Sequence, residues 1–274
     1  MNYDRQFRTK KRLGQHFLHD AGVVDRIVRA IDPKPGERLV EIGPGQGALT
    51  VPLLRRIVAV AQGPFTPDQP ALTVIEFDRD LIAGLEHTSA DIAPLQIIQA
   101  DALAVDFSAL AGSSPIRLVG NLPYNISSPI LFHALQHAGS IIDMHFMLQR
   151  EVVDRMAAGP GGKVYGRLSV MLQAYARVEA LFGVPPGAFR PPPKVDSAVV
   201  RITPHPGAQI GIHDAAAFAR IVKAAFGQRR KTLRNALQGT CSLEQLDAAG
   251  IDSSDRAERI SVDRYIALAN LSAT

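Results

Sequence analysis

The sequence predicts an α/β fold: a mostly parallel sheet with an antiparallel hairpin strand, plus a small all-α C-terminal domain. Three observations lead there. Strand and helix patterns alternate from residue 38 onward, a glycine-rich segment stands between the first strand and its helix, and strand character stops after Pro204-His205-Pro206-Gly207. Alternation of this kind builds βαβ units and a parallel sheet. A chain of 274 residues holds a full α/β core and a second, smaller domain.

Ahead of the first strand, Val23, Val24, Ile27 and Val28 recur at helical spacing after Asp20, an N-capping residue type, and Pro33 bounds the helix. Strands follow at 38–42, 72–77, 95–99, 116–120 and 141–148, with helices over 48–56, from Asp80, over 130–136 and from Gln149. Residues 62–71, holding three prolines and one glycine, form a surface loop. A helix over 168–175 precedes strands at 177–184 and 197–202. The short link between those strands, rich in proline from Pro185 to Pro193, predicts an antiparallel hairpin. Only helical pattern remains after that, at 215–226, 232–237, 243–248 and 262–269. The expected organisation is an α/β domain over 1–205, opening on a basic segment at 1–19, and a helical domain over 206–274.

Composition narrows the classes. With 46% hydrophobic and 20% charged residues the chain is an ordinary globular sequence, and no apolar run approaches the roughly 20 residues of a membrane span. Residues 1–12 are basic and lack the apolar stretch of a secretory signal, so a cytoplasmic, non-membrane protein is expected. Cys241 is the only cysteine, which excludes an internal disulfide and any thiolate metal cluster. No metal is expected. A net charge of +4 and a pI near 9.4 favour polyanionic partners. The cations cluster, with Arg5, Arg8, Lys10, Lys11 and Arg12 early and Arg229, Arg230, Lys231 and Arg234 late. Each cluster is read either as a nucleic-acid contact or as a solvated basic face.

Val40-Glu41-Ile42-Gly43-Pro44-Gly45-Gln46-Gly47-Ala48 places glycines between strand and helix, where a missing side chain lets a ligand approach the backbone. Taken alone this also fits a dinucleotide fingerprint, so a nicotinamide or flavin enzyme stays open, as does a structural turn. The second strand ends in Glu76-Phe77-Asp78, and Glu76 is positioned to accept from the ribose hydroxyls of a nucleoside cofactor. Asp101, after the third strand, suits an adenine amine or a helix cap.

The strand at 116–120 runs into Asn121-Leu122-Pro123-Tyr124, which therefore stands at the same sheet edge. An adenine exocyclic amine is a poor nucleophile because its lone pair is delocalised into the ring. The Asn121 side-chain oxygen and the Leu122 carbonyl can accept its two hydrogens and turn the lone pair toward a methyl sulfonium. Pro123 stiffens the chain and holds Leu122 extended. Tyr124 can stack on a base taken out of its helix. Positioning and polarisation carry such a reaction without a strong base.

Lys11-Arg12-Leu13-Gly14-Gln15-His16-Phe17-Leu18, Glu41-Ile42-Gly43-Pro44-Gly45, Asn121-Leu122-Pro123-Tyr124-Asn125-Ile126-Ser127, Tyr165-Gly166-Arg167-Leu168-Ser169 and Phe189-Arg190-Pro191-Pro192-Pro193-Lys194-Val195-Asp196-Ser197 together resemble the small-subunit rRNA adenine dimethyltransferase family, over nearly the whole chain. The resemblance implies a Rossmann-like class I methyltransferase sheet. It also implies S-adenosyl-L-methionine as methyl donor and two adjacent adenines near the 3′ end of 16S rRNA in the immature small subunit as substrate. A monomer is expected. Carried over by position, Gln15, His16, Leu18, Gly43, Gly45, Glu76, Phe77, Asp101, Ala102 and Asn121 would hold the cofactor. The resemblance places Phe189 on the target base opposite Tyr124, while a core phenylalanine is the other reading. The family usually has asparagine at the position of His16, and an imidazole also hydrogen-bonds. Arg229, Arg230, Lys231 and Arg234, read at helical spacing with Leu233 and Leu237 as the buried side, would contact the rRNA backbone. A related family acting on a large-subunit rRNA adenine, and a mainly non-catalytic assembly factor, are the competing functions.

Overall fold

The computed structural model describes residues 16–66, 69–124, 126–207 and 211–272. Gln15, most of the basic N-terminal segment and Asn125 lie outside the described residues.

The first described elements are a two-residue strand, β1 (Phe17–Leu18), and helix α1 (Ala21–Ile31). The Asp20 side chain accepts from Val23 N–H at 3.0 Å and caps that helix, as its sequence position predicts. There follow β2 (Arg38–Ile42), α2 (Thr50–Val60), β3 (Leu72–Glu76), α3 (Arg79–Ser89) and β4 (Leu95–Gln99). Next come α4 (Phe107–Ala111), β5 (Ile116–Asn121), α5 (Ser127–Gln136), β6 (Ile141–Gln149) and α6 (Arg150–Ala157). Then α7 (Arg167–Gln173), β7 (Ala176–Val184), β8 (Phe189–Arg190) and β9 (Ser197–Pro204) lead to α8 (Ala215–Gly227), α9 (Leu233–Ala236), α10 (Leu243–Ala248) and α11 (Val262–Ser272).

Seven strands form one sheet in the order β4-β3-β2-β5-β6-β9-β7. The first five are parallel neighbours, in register at Glu41↔Val74, Glu41↔Val119 and Asn121↔Met147, and β9 and β7 supply the antiparallel hairpin. Strand order reverses between β2 and β5, the place where open α/β sheets carry their ligands. β1 pairs with β8 as a second, two-stranded sheet that the sequence pattern does not reveal. A 3₁₀ turn (Ala102–Ala104) and α4 also cross between β4 and β5, where no helical element was expected.

The chain divides into two compact units, Met1–Arg150 with Leu181–Arg201, and Glu151–Ala180 with Ile202–Thr274. This differs from the expected cut at residue 205. The reason lies in the second core, where Tyr165, Val170 and Ala174 are buried in one cluster with Phe218, Ile221 and Leu233. In the first unit the core runs through Leu53, Leu54, Leu72, Val74 and Val119. Among the described residues, no helix is long and apolar enough to cross a membrane.

Near the start of β5, Arg117 lies beside Asp143 of β6 in register. Its guanidinium donates to both Asp143 oxygens at 2.8 and 2.9 Å, to Glu37 at 2.7 Å and to the Ile31 carbonyl at 2.8 Å. Burial alone would raise the Asp143 carboxyl, but His145 and Arg117 beside it outweigh burial and hold it down at about 2. A depressed carboxylate stabilises the fold above its unfolded pKa and loses that effect as pH falls through the folded value. Asp143→Asn should therefore lower unfolding stability by about 2 kcal/mol at pH 7. In urea titrations the gap to the parent protein should close as pH falls from about 4 toward 2.

Candidate active site

The carboxyl ends of β2, β3 and β5 open on a cavity of about 250 Å³. It gathers His16, Leu18, Gly43, Gly45, Glu76, Phe77, Asp101, Ala102, Asn121, Leu122, Pro123 and Tyr124, which are the sequence-derived cofactor and reaction residues with two exceptions. Gln15 is outside the described residues, and Phe189 is elsewhere.

Two backbone features shape the floor. Gly45 has φ +59°, where a side chain is strained, and a Cβ there would crowd the Phe17 ring at 3.2 Å, so glycine is favoured between the loop and β1. Gly120, the last residue before Asn121, packs its α-carbon so tightly on the Ile42 carbonyl oxygen that a Cβ would overlap it. The ends of β2 and β5 can then approach closely, which sets Asn121 against the glycine loop.

Glu76 is 6% exposed, with Oε2 accepting from Gly45 N–H at 3.1 Å and Oε1 from Asp78 N–H at 2.7 Å. Burial pushes its pKa up, against those two N–H groups. The acid is thus fixed at the strand end beside the glycine loop, with lone pairs left for ribose hydroxyls. Asp101 Oδ1 caps the 3₁₀ turn by accepting from Leu103 N–H at 3.0 Å, so its capping role is realised at the cavity wall. Phe77, 62% exposed, and Ala102, buried, both line the cavity.

Asn121 donates from Nδ2 to the His16 carbonyl at 3.1 Å. That bond orients the amide and turns Oδ1 the other way as an acceptor. Leu122 is buried, and its N–H donates to the Met147 carbonyl at 3.2 Å. Tyr124 is tied through its hydroxyl to Ser197 Oγ at 2.7 Å and lies 5.9 Å from the His16 ring at 26° between planes, a stacked arrangement. Burial raises the Tyr124 pKa. His16 Nδ1 meets the Pro191 carbonyl at 2.8 Å, so that nitrogen carries the hydrogen.

Phe189 is 2% exposed and sits in the hydrophobic core with Leu18, its partner across β1 and β8. Burial of its ring in that small sheet favours the core reading over a stacking partner for a base. The basic segment also departs from expectation. Residues 229–231 form a turn after α8 rather than a helical face, because the helix ends at Gly227. Leu233 and Leu237 are buried as expected, and Arg229, Arg230, Lys231 and Arg234 are exposed. Arg229, however, donates to the Lys163 and Tyr165 carbonyls at 2.8 and 3.0 Å, so it braces its own unit.

Sequence reasoning passed over Phe17 and Glu41, both of which line the cavity. An acid flanked by Val40 and Ile42 in a strand buried on both faces was the available signal for Glu41.

Glycine loop, strand-end acid and Asn-Leu-Pro-Tyr at one edge of a Rossmann-like sheet define a nucleoside-dependent methyltransferase site. The fold recurs in the dimethyladenosine transferase of Plasmodium falciparum, with TM-score 0.76 and 23% identity over 92% of this chain and 96% of that one. It recurs again in the 23S rRNA methyltransferase ErmE, with TM-score 0.69 and 23% identity over 94% and 100%. A relative in Xanthomonas campestris pv. campestris, ribosomal RNA small subunit methyltransferase A, is 64% identical over 271 residues, 99% of each chain. Its counterpart in Xanthomonas oryzae pv. oryzae is 62% identical over the same length. Residues 6–274 match the family described as ribosomal RNA adenine dimethylase, and the chain belongs to that family. It is an S-adenosylmethionine-dependent rRNA adenine methyltransferase.

Gly120→Ala should destabilise the protein by roughly 1–3 kcal/mol through overpacking. Thermal unfolding should detect it, together with weakened S-adenosylmethionine binding as the strand ends part.

Proposed function

We propose that this chain dimethylates two adjacent adenines near the 3′ end of 16S rRNA in the immature small subunit, acting as a monomer in the cytoplasm. Its 64%-identical relatives, ribosomal RNA small subunit methyltransferases A, and the motif resemblance support the small-subunit assignment. The observation that carries the chemistry is the Asn121 amide, anchored through Nδ2 to the His16 carbonyl.

In this reading the cavity residues divide into two groups. Gly43, Gly45, Glu76, Phe77, Asp101 and Ala102, with Gln15, His16 and Leu18, hold the cofactor, and Glu76 takes the ribose. The fit rests on the glycine cradle and on the buried acids that face it. S-adenosylmethionine, when bound, supplies a methyl group activated on a sulfonium. Asn121 Oδ1 and the Leu122 carbonyl accept the two amine hydrogens, which directs the nitrogen lone pair at that methyl. Pro123 keeps the carbonyl in place, and Tyr124, steadied by Ser197, offers a face for the extruded base. Each transfer forms one N–C bond, breaks one S–C bond and releases one amine proton to solvent. Phe189 serves as a buried brace beneath β1 rather than as a stacking partner.

The helical unit would bind the RNA. Arg230, Lys231 and Arg234 give exposed charge for phosphates, adding affinity that falls with salt and leaving base choice to the cavity.

Mass mapping after incubation with unmodified small subunits and S-adenosylmethionine should find two adjacent dimethylated adenines near the 3′ end of 16S rRNA. Modification of large-subunit RNA alone would overturn the assignment. Asn121→Ala should cut the single-turnover methylation rate by roughly a hundredfold or more. Its S-adenosylmethionine affinity, read by calorimetry, should change only a few-fold.

A further inference from the structure

Glu41 is left unused by the reaction just described. It is next to last in β2, is 1% exposed and lines the cavity, yet its Oε2 has no hydrogen-bond partner among the described residues. Burying an ionised carboxylate without a partner costs several kcal/mol, so such a group is neutral until a cation reaches it. Among the described residues, the groups facing it include no lysine or arginine. Glu76 stands at the end of β3 with Asp78 beyond it, Asp101 follows β4, Tyr124 follows β5, and His16 precedes β1. The Thr50 hydroxyl of α2 opposes the effect of burial without overcoming it, and makes no well-aligned hydrogen bond. Among the described residues, no lysine or arginine lines the cavity. Among the described residues, three carboxyl groups face one imidazole and no lysine or arginine, which makes a site shaped for a positively charged ligand.

We propose that Glu41 carries a proton in the ligand-free protein and loses it when S-adenosylmethionine binds, so that donor capture expels one proton and leaves a carboxylate facing the donor's positive charge. The proposal rests on the assignment of this cavity to the methyl donor. The bookkeeping is closed: a neutral carboxylic acid and a cationic donor become an ion pair, and the proton goes to buffer. Burial, with the Glu76 charge adding to it, pushes the Glu41 carboxyl up to about 8, so the protonated form dominates at neutral pH. The same feature separates substrate from product. The demethylated product has lost the sulfonium charge, so the carboxylate loses part of its partner and is drawn back toward the protonated form.

The test is calorimetry of S-adenosylmethionine binding to the full chain at pH 7 in two buffers of different ionisation enthalpy. The expected result is a release close to one proton, fading by about pH 9, and affinity that rises up to tenfold per pH unit below about 8. Glu41→Gln should bind more weakly, release no proton and lose that pH dependence. Glu76→Gln should weaken binding while the release persists. A ligand-free readout accompanies these. Because the folded pKa is raised, stability is lost as pH climbs from about 5 to about 8, so over that range the melting temperature of the wild type should fall relative to Glu41→Gln. Binding without proton release, or release that survives Glu41→Gln but vanishes in Glu76→Gln, would overturn the proposal alone. No binding at all by the wild-type protein would overturn the cavity assignment and this proposal with it.

Discussion

The site depends on one steric constraint, the packing of Gly120 against the Ile42 carbonyl. Parallel strands deliver all their carboxyl ends to one edge, but pleated neighbours with side chains would hold β2 and β5 further apart there. Removing a single Cβ lets the two strand ends converge just where strand order reverses. Gly43 leaves β2 and Asn121 ends β5 at that point, so the glycine loop and the Asn121 amide share one wall of the cavity.

The same sheet buries carboxylates in two opposite ways. Toward the amino ends of β5 and β6, Asp143 is surrounded by Arg117 and His145 and stays ionised far into acid. Toward the carboxyl end of β2, Glu41 meets no lysine or arginine among the described residues, and burial pushes its carboxyl up. Paired burial strengthens the fold, whereas unpaired burial weakens it and leaves electrostatic energy to be released on binding. That division matches the rule that ligands meet the carboxyl ends of such sheets while the other end secures the scaffold.

Much of this was legible in the residues. Apolar runs alternating with helical pattern located every strand from β2 to β6, and Asp20 marked its helix start because capping is a local interaction. Long-range pairings were not legible. β1 and β8 are two residues each, too short for any period, and meet across more than 170 positions. The unit division was missed because burial of Tyr165 and Val170 with Phe218 depends on tertiary packing rather than on local pattern. The cations at 229–231 looked helical because the residues on both sides are helical. Only the stop at Gly227 turns them into a loop, where Arg229 is spent on two carbonyls.

The hydrogen bond from Asn121 Nδ2 to the His16 carbonyl has a consequence for the choice of base. A main-chain carbonyl can only accept, so the amide cannot rotate by half a turn without facing oxygen to oxygen. In the proposed reaction the end presented to the substrate is therefore a fixed lone pair, and with the Leu122 carbonyl it forms a fork that welcomes N–H bonds. A purine bearing a keto oxygen in place of the amine would meet lone pairs with lone pairs and be rejected. Under the proposed reaction, discrimination of adenine from guanine then rests partly on a main-chain carbonyl just ahead of β1.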